Sequence, residues 1–202
     1  AVCVWPRLAR FARAQAPHQV AVAAVANFPD GSSDLQRALR DTADIVQAGA
    51  QEVDLVLPYR SLLAGDLNPC RQVLAAVRRA SEGLILKVIL ETGELREPGF
   101  IEQAARLALD AGADFLKTST GKTPVSATPL AAQFMMRTIA NDAQARGRVG
   151  FKASGGIRRI ADAAPYLDLV AGELGAAALV PARFRIGASG LLNEIEIALS
   201  AA

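Results

Sequence analysis

The stretch "AGADFLKTSTGK", Ala111 to Lys122, runs from a glycine-marked helix end into a short apolar segment that closes on Lys117, with Lys122 five residues later beside Gly121. The same layout occurs earlier in the chain. "AGAQEVD", Ala48 to Asp54, superimposes on "AGADFLK", Ala111 to Lys117, and in both a helix-ending glycine leads into a strand. Asp54 and Lys117 therefore hold the same place in their units.

Working outward, short and almost continuously apolar runs recur: "AVCVW", "QVAVAAVA", "EVDLVL", "LILKVIL", "DFLK", "VGFK" and, more weakly, "FRIGA". Runs this short without alternation are strands covered on both faces, as in parallel sheets. Between them lie amphipathic helical stretches, among them "NPCRQVLAAVRRA", "EPGFIEQAARLALDAGA" and "ATPLAAQFMMRTIANDA". Alternation of this kind predicts an α/β fold in a single domain over residues 1–202.

Two parallel architectures fit. In a (β/α)8 barrel, alternate strands send side chains into the same interior layer. Asp54 and Lys117 are separated by one intervening strand, so an acid and an amine would face each other across the lumen. A doubly wound sheet is the alternative, but no G-x-G-x-x-G follows the early strands. We expect the (β/α)8 TIM barrel, apparently lacking its first β-strand unit, because the chain shows seven strands and the first opens at its N-terminus.

Composition narrows the function. Half of the 202 residues are hydrophobic, and the formal charge is only +2. The basic residues form no tract, so nucleic acid is not an expected partner. Cys3 and Cys70 show no metal-type or redox spacing and His18 is the only histidine, so no metal site is expected. Both thiols read as reduced, in a cytoplasmic protein. No apolar run approaches the roughly 18 residues of a membrane span, and the opening residues lack a signal-peptide layout.

Polar residues recur toward the C-terminal ends of the apolar runs: Asn27, Asp54, Lys87, Lys117 and Lys152. That is the end of a barrel where active sites assemble. Burying an unpaired ammonium costs several kcal/mol. One such lysine is as well explained by snorkelling or a structural ion pair, but three in consecutive units beside an acid point to amine catalysis. A lysine must be neutral to attack a carbonyl, and an adjacent cation or desolvation makes it so. The resulting imine withdraws electrons, as a class I aldolase requires.

An anion signal is independent of this. "ASGGIR", Ala153 to Arg158, and "GASG", Gly187 to Gly190, follow the last two strands, and each is expected to open a helix whose N–H groups bind phosphate. Gly155, Gly156, Gly187 and Ser189 would form the cradle, with Lys122 or Arg158 adding charge. Other motifs fail. "TSTGKT" lacks the first glycine of a P-loop, Leu116 standing there. His18 reads as a surface residue, and Arg7 and Arg60 as either pocket-lining or solvated.

"NFPDG", "EVDLVLPYRSLLAGD", "LKVILETGEL", "GADFLKTSTGK", "VGFKASGGIR" and "FRIGASGLL", in this order, resemble the 2-deoxyribose-5-phosphate aldolases over nearly the whole chain. The resemblance implies a (β/α)8 enzyme without metal or organic cofactor. It would reversibly cleave 2-deoxy-D-ribose 5-phosphate to acetaldehyde and D-glyceraldehyde 3-phosphate in deoxynucleoside catabolism. It makes Lys117 the Schiff-base residue, Lys152 the neighbour that keeps it reactive and Asp54 a member of the proton relay. Lys87 would line the site, and Asn27 is placed with it in the substrate pocket. Phosphate contacts would fall on Gly121, Lys122, Gly155, Gly156, Gly187 and Ser189.

Two departures accompany the match: Gly190 replaces a usual serine, and the family's N-terminal strand with its D-x-T motif is not found. Expected partners are a small phosphorylated sugar and aldehydes, with neither nucleic acid nor membrane, and a second copy of the chain, a dimer being favoured. The rival readings are another Schiff-base aldolase or transaldolase on a phosphorylated sugar, and a phosphometabolite-binding protein impaired in catalysis.

Overall fold

The computed structural model describes residues 1–200. Its first half comprises β1 (Val2–Val4), α1 (Pro6–Gln15), β2 (Val22–Ala26), α2 (Leu35–Gln47), β3 (Glu52–Val56), α3 (Tyr59–Leu63) and α4 (Asn68–Ala80). Then come β4 (Ile85–Ile89), α5 (Thr92–Leu95), α6 (Pro98–Asp110), β5 (Phe115–Lys117) and α7 (Pro129–Asn141). β6 (Gly150–Ser154), α8 (Ile160–Leu174), a 3-10 turn at Ala176–Ala178, β7 (Phe184–Gly187) and α9 (Leu191–Ser200) complete the order.

Every one of the seven apolar runs is a strand. All seven pair in parallel and in chain order, β1 to β7, in one sheet. Neighbouring strands lie about 4.8 Å apart, so in a flat sheet β3 and β7 would be roughly 19 Å apart. Yet Arg185 on β7 reaches Glu52 on β3 at 2.7 Å, and Cys3 on β1 approaches Asp54 on β3. The sheet is therefore curled into a half-barrel, one unit short of eight, with the concave side as its lumen.

The strand period of two sorts the side chains between the faces. Val53, Leu55, Leu86, Val88, Leu116, Phe151 and Ala153 point outward into the core beneath the helices and are fully buried. Phe151 and Phe184 stack there, their rings 6.5 Å apart. Burying side chains of this size contributes about 1.5–3 kcal/mol each. The alternate residues, Glu52, Asp54, Lys87, Phe115, Lys117, Lys152 and Arg185, face the lumen.

Local chemistry sets the helix ends. Asp34 caps α2 by accepting from the Arg37 amide at 3.0 Å, and Thr128 caps α7 by accepting from Ala131 at 3.2 Å. Gly49 and Gly112 adopt φ of +74° and +81°, the left-handed turn that ends α2 and α6 and starts β3 and β5. These are the two glycines of the repeat. Helix α1 was not singled out from the sequence; only Ala9 is buried along it, while Leu8 and Phe11 are exposed.

Candidate active site

The lumen holds a closed group of charges. Asp54 is fully buried, and its Oδ2 accepts hydrogen bonds from Lys117 Nζ and from Lys152 Nζ, both at 2.8 Å. Its Oδ1 accepts from Lys87 Nζ at 2.7 Å. Register explains the convergence: Asp54 pairs with Lys87 across β3 and β4, and Lys117 pairs with Lys152 across β5 and β6. Curling brings the two pairs together. The acid and amine expected to face each other across the lumen are in direct contact.

The electrostatics follow from geometry. Burial alone would raise the Asp54 carboxyl, but Lys117, Lys152 and Lys87 outweigh it and hold it well below the usual carboxylate range. For Lys152, burial favours loss of the proton; the facing Asp54 carboxylate outweighs it and moves the group above its ordinary value. Lys152 thus stays cationic beside Lys117.

Three lumen residues were not singled out from the sequence. Glu52, 1% exposed, forms an ion pair with Lys87 Nζ at 2.5 Å and accepts from Arg185 Nη1 at 2.7 and 2.9 Å. Burial acts to raise the Glu52 carboxyl, while Lys87 and Arg185 bring it below its ordinary value. Cys3 Sγ lies 3.6 Å from Asp54 Oδ2. Glu52 begins its strand, away from the C-terminal end, but its i, i+2 spacing from Asp54 was a usable signal.

The loops after β5, β6 and β7 gather on one side. A Cβ on Gly155 would lie 3.1 Å from the Cα of Gly121, so the loops carrying these glycines touch. Thr118 Oγ1 bonds both the amide and carbonyl of Ser154, at 2.9 and 3.0 Å, and Ser154 Oγ donates to the Ser119 carbonyl at 2.5 Å. Gly187 lies against Lys152, whose Cε would be 3.1 Å from a Cβ there. Lys122 is exposed, with no carboxylate within 4 Å among the described residues; Gly156 has open space beside it, and Ser189 is exposed just ahead of α9.

One expectation is corrected here. "ASGGIR" does not open a helix: α8 starts at Ile160, beyond Gly155 and Gly156. The amides of Arg158 and Arg159 donate to Asp162 Oδ2, and that of Ile160 donates to Glu194. These three amides at the helix start are thus satisfied by the chain's own carboxylates. "GASG" does lead straight into α9 at Leu191.

Glu91 is a further residue without a sequence signal. It is buried with φ of +59°, accepting from Thr120 Oγ1 at 2.5 Å, from the Thr120 amide at 3.3 Å and from Thr123 Oγ1 at 3.3 Å. It thereby anchors the loop that carries Gly121 and Lys122. Burial pushes its carboxyl up.

Asn27 is buried too, but it makes no hydrogen bond to the lysines. Its Nδ2 donates to the carbonyls of Ser32 and Val56, at 2.8 and 3.1 Å, while its Oδ1 is buried without a partner among the described residues. Arg7 lies over the Trp5 ring, Arg60 lies over Tyr59 and donates to the Asp30 carbonyl, and His18 is exposed.

An amine, a buried carboxylate and a persistent second cation are the groups imine chemistry needs. Residues 1–193 match the family model of the DeoC/LacD family aldolases. The chain belongs to this family. Among curated proteins, this DeoC/LacD aldolase is 42% identical over 198 residues to the deoxyribose-phosphate aldolase of Agrobacterium fabrum, spanning 96% of this chain and 75% of that protein. Among solved structures it resembles an apo-form from Toxoplasma gondii, with a TM-score of 0.90 and 28% identity, over 100% of this chain and 82% of that one. It also resembles the tetrameric deoxyribose phosphate aldolase of Aeropyrum pernix, with a TM-score of 0.72 and 26% identity, over 99% and 77% of the two chains. As a DeoC/LacD aldolase it is a carbon–carbon lyase. No helix among the described residues is long and apolar enough to cross a membrane.

Proposed function

We propose that this aldolase cleaves 2-deoxy-D-ribose 5-phosphate reversibly to acetaldehyde and D-glyceraldehyde 3-phosphate, with Lys117 as the nucleophile. The carrying observation is the convergence of Lys117 and Lys152 on one oxygen of Asp54. The 42% identity to a protein named deoxyribose-phosphate aldolase supports the substrate.

In this reading the neutral Lys117 amine attacks C1 of the open-chain sugar, and the carbinolamine loses water to give an iminium ion. Removal of the C3 hydroxyl proton by the Asp54–Lys152 relay breaks the C2–C3 bond. Its electron pair moves toward the iminium nitrogen, leaving glyceraldehyde 3-phosphate and an acetaldehyde enamine on Lys117. Protonation of the enamine carbon and addition of water release acetaldehyde and restore the amine. Lys87 holds Asp54 from the far side. Asn27 belongs to the substrate pocket through the loop it ties to β3.

The phosphate end of the sugar is placed over Gly121, Lys122, Gly155, Gly156, Gly187 and Ser189. The support is the contact between the Gly121 and Gly155 loops and the uncompensated Lys122 ammonium beside them. Residues 1–202 act as one domain, in a cytoplasmic homo-oligomer serving deoxynucleoside catabolism, and the reaction draws on no metal or organic cofactor. Purified protein incubated with deoxyribose 5-phosphate should release glyceraldehyde 3-phosphate, and Lys117→Ala should release none while remaining folded. Equal turnover by the variant would refute the assignment.

A further inference from the structure

Glu52 and Arg185 contribute no atom to the reaction just described, yet they form the most enclosed ion pair outside it. Both carboxylate oxygens of Glu52 face one guanidinium nitrogen of Arg185, and Lys87 closes the other side. The Arg185 guanidinium lies 5.1 Å from the centre of the Phe115 ring and donates through Nε to the Pro181 carbonyl at 2.8 Å.

Stability is a weak reason for such a pair. Desolvating two ions offsets most of their attraction, and apolar side chains of similar volume would fill the space as well. Charge is the better reason. Lys117, Lys152 and Lys87 all converge on the single carboxylate of Asp54. Glu52 gives Lys87 a second anion, so Asp54 Oδ1 is not its only partner and Oδ2 stays available to Lys117 and Lys152. Arg185 then limits how much negative charge Glu52 adds.

We propose that Glu52 and Arg185 are opposed-charge positioning residues, acting through Lys87 and Asp54 to set the pH range in which Lys117 reacts. The proposal rests on the reading of Lys117 as nucleophile. The charged or titratable groups that face this network are Cys3 from β1, Glu52 and Asp54 from β3, Lys87 from β4, Lys117 from β5, Lys152 from β6 and Arg185 from β7. On β2, Ala23 and Val25 occupy the matching register positions and carry no charge.

The signs are opposite for the two residues. An anion near an ammonium stabilises the protonated form, so Glu52→Gln frees the amine at lower pH. A cation does the reverse, so Arg185→Met delays that release to higher pH. Each change should displace the rising limb of the kcat/KM–pH profile by about one unit. The double variant E52Q/R185M should fall back near the parent, within about 0.3 unit. A purely structural pair would lower activity in both single variants without moving the limbs apart.

The experiment is the pH dependence of deoxyribose 5-phosphate cleavage by the parent, both single variants and the double. Limbs displaced in opposite directions support the proposal; folded single variants with unmoved limbs, or limbs moved the same way, overturn it. Should a single variant fail to fold, Glu52→Asp, Arg185→Lys and the double variant decide. All three should keep the parent limb, and a displacement of about one unit in any of them shows that shape rather than charge sets it, which also overturns the proposal. Reductive trapping of acetaldehyde on Lys117 of the parent tests the underlying reading separately: no adduct refutes that reading, whereas an adduct with unmoved limbs refutes only the charge pair.

Discussion

Lys117 and Lys152 are register partners on adjacent strands, and their side-chain nitrogens meet at one atom, Asp54 Oδ2, 2.8 Å from each. A carboxylate oxygen shared in this way keeps two ammonium groups closer than their mutual repulsion would otherwise allow. It also couples them, because the charge of one is felt directly by the other.

Replacing Lys152 by leucine removes the cation that disfavours protonation of Lys117. The expected result is a kcat/KM–pH profile displaced to higher pH by at least about one unit, together with a lower maximum. An unchanged profile in a folded variant would contradict the role given to Lys152.

Asp54→Asn leaves the lumen lysines with Glu52 as their only buried anion. The loss of stability should be about 3–5 kcal/mol, read from urea denaturation. Because the folded carboxyl of Asp54 is held well below its ordinary value, its contribution is fully present above about pH 4 and fades as pH falls through the folded value. Lys152, shifted the other way, contributes below about pH 10.4 and loses that contribution as pH rises through its folded value. The parent midpoint should therefore be nearly level from about pH 5 to 9 and fall on the acid side. An acid slope equally steep in Asp54→Asn would show that the stabilisation lies elsewhere.

Gly187→Ala tests the packing around Lys152. An added Cβ would sit 2.8 Å from Ser154 Cβ and 3.1 Å from Lys152 Cε, so both side chains must give way, and misplacement near a reacting group lowers the rate, by up to about 10²-fold for about 1 Å. We expect a folded protein with that loss in kcat. Activity equal to the parent would mean that Lys152 can shift without consequence.

Glu91→Gln should loosen the loop carrying Gly121 and Lys122, because an amide cannot accept at both positions now bonded by Thr120 and Thr123. KM for the phosphorylated sugar should rise by about tenfold, equivalent to 1.4 kcal/mol of lost binding, with imine formation from unphosphorylated acetaldehyde little changed. A fall in both alike would place Glu91 in the general support of the sheet.

The strands, their parallel pairing and four of the charged lumen residues were legible because they depend on short-range patterns. Apolar runs mark strands, and the glycine repeat puts Asp54 and Lys117 in equivalent positions. Lys87 and Lys152 stood out because an ammonium inside such a run demands an explanation. Glu52 and Arg185 were harder to see, since they are 133 positions apart in the chain and four strands apart in the sheet. Only curling brings them together, and no local pattern encodes that distance. Glu91 was hidden for another reason: its φ of +59° is a backbone choice that glycine or asparagine usually signals, not glutamate. The misplaced start of α8 has a similar origin. Gly-Gly reads as a helix entry, whereas the cap is made by Asp162 and Glu194, which lie farther along the chain.

Imine formation at Lys117 is the step on which the proposed reaction depends. Incubation with acetaldehyde and sodium borohydride, followed by peptide mass spectrometry, would locate the reduced adduct directly. An ethyl group is expected on Lys117, with none on Lys87 or Lys152. A folded protein that shows no adduct, or carries it on another lysine, would contradict this assignment.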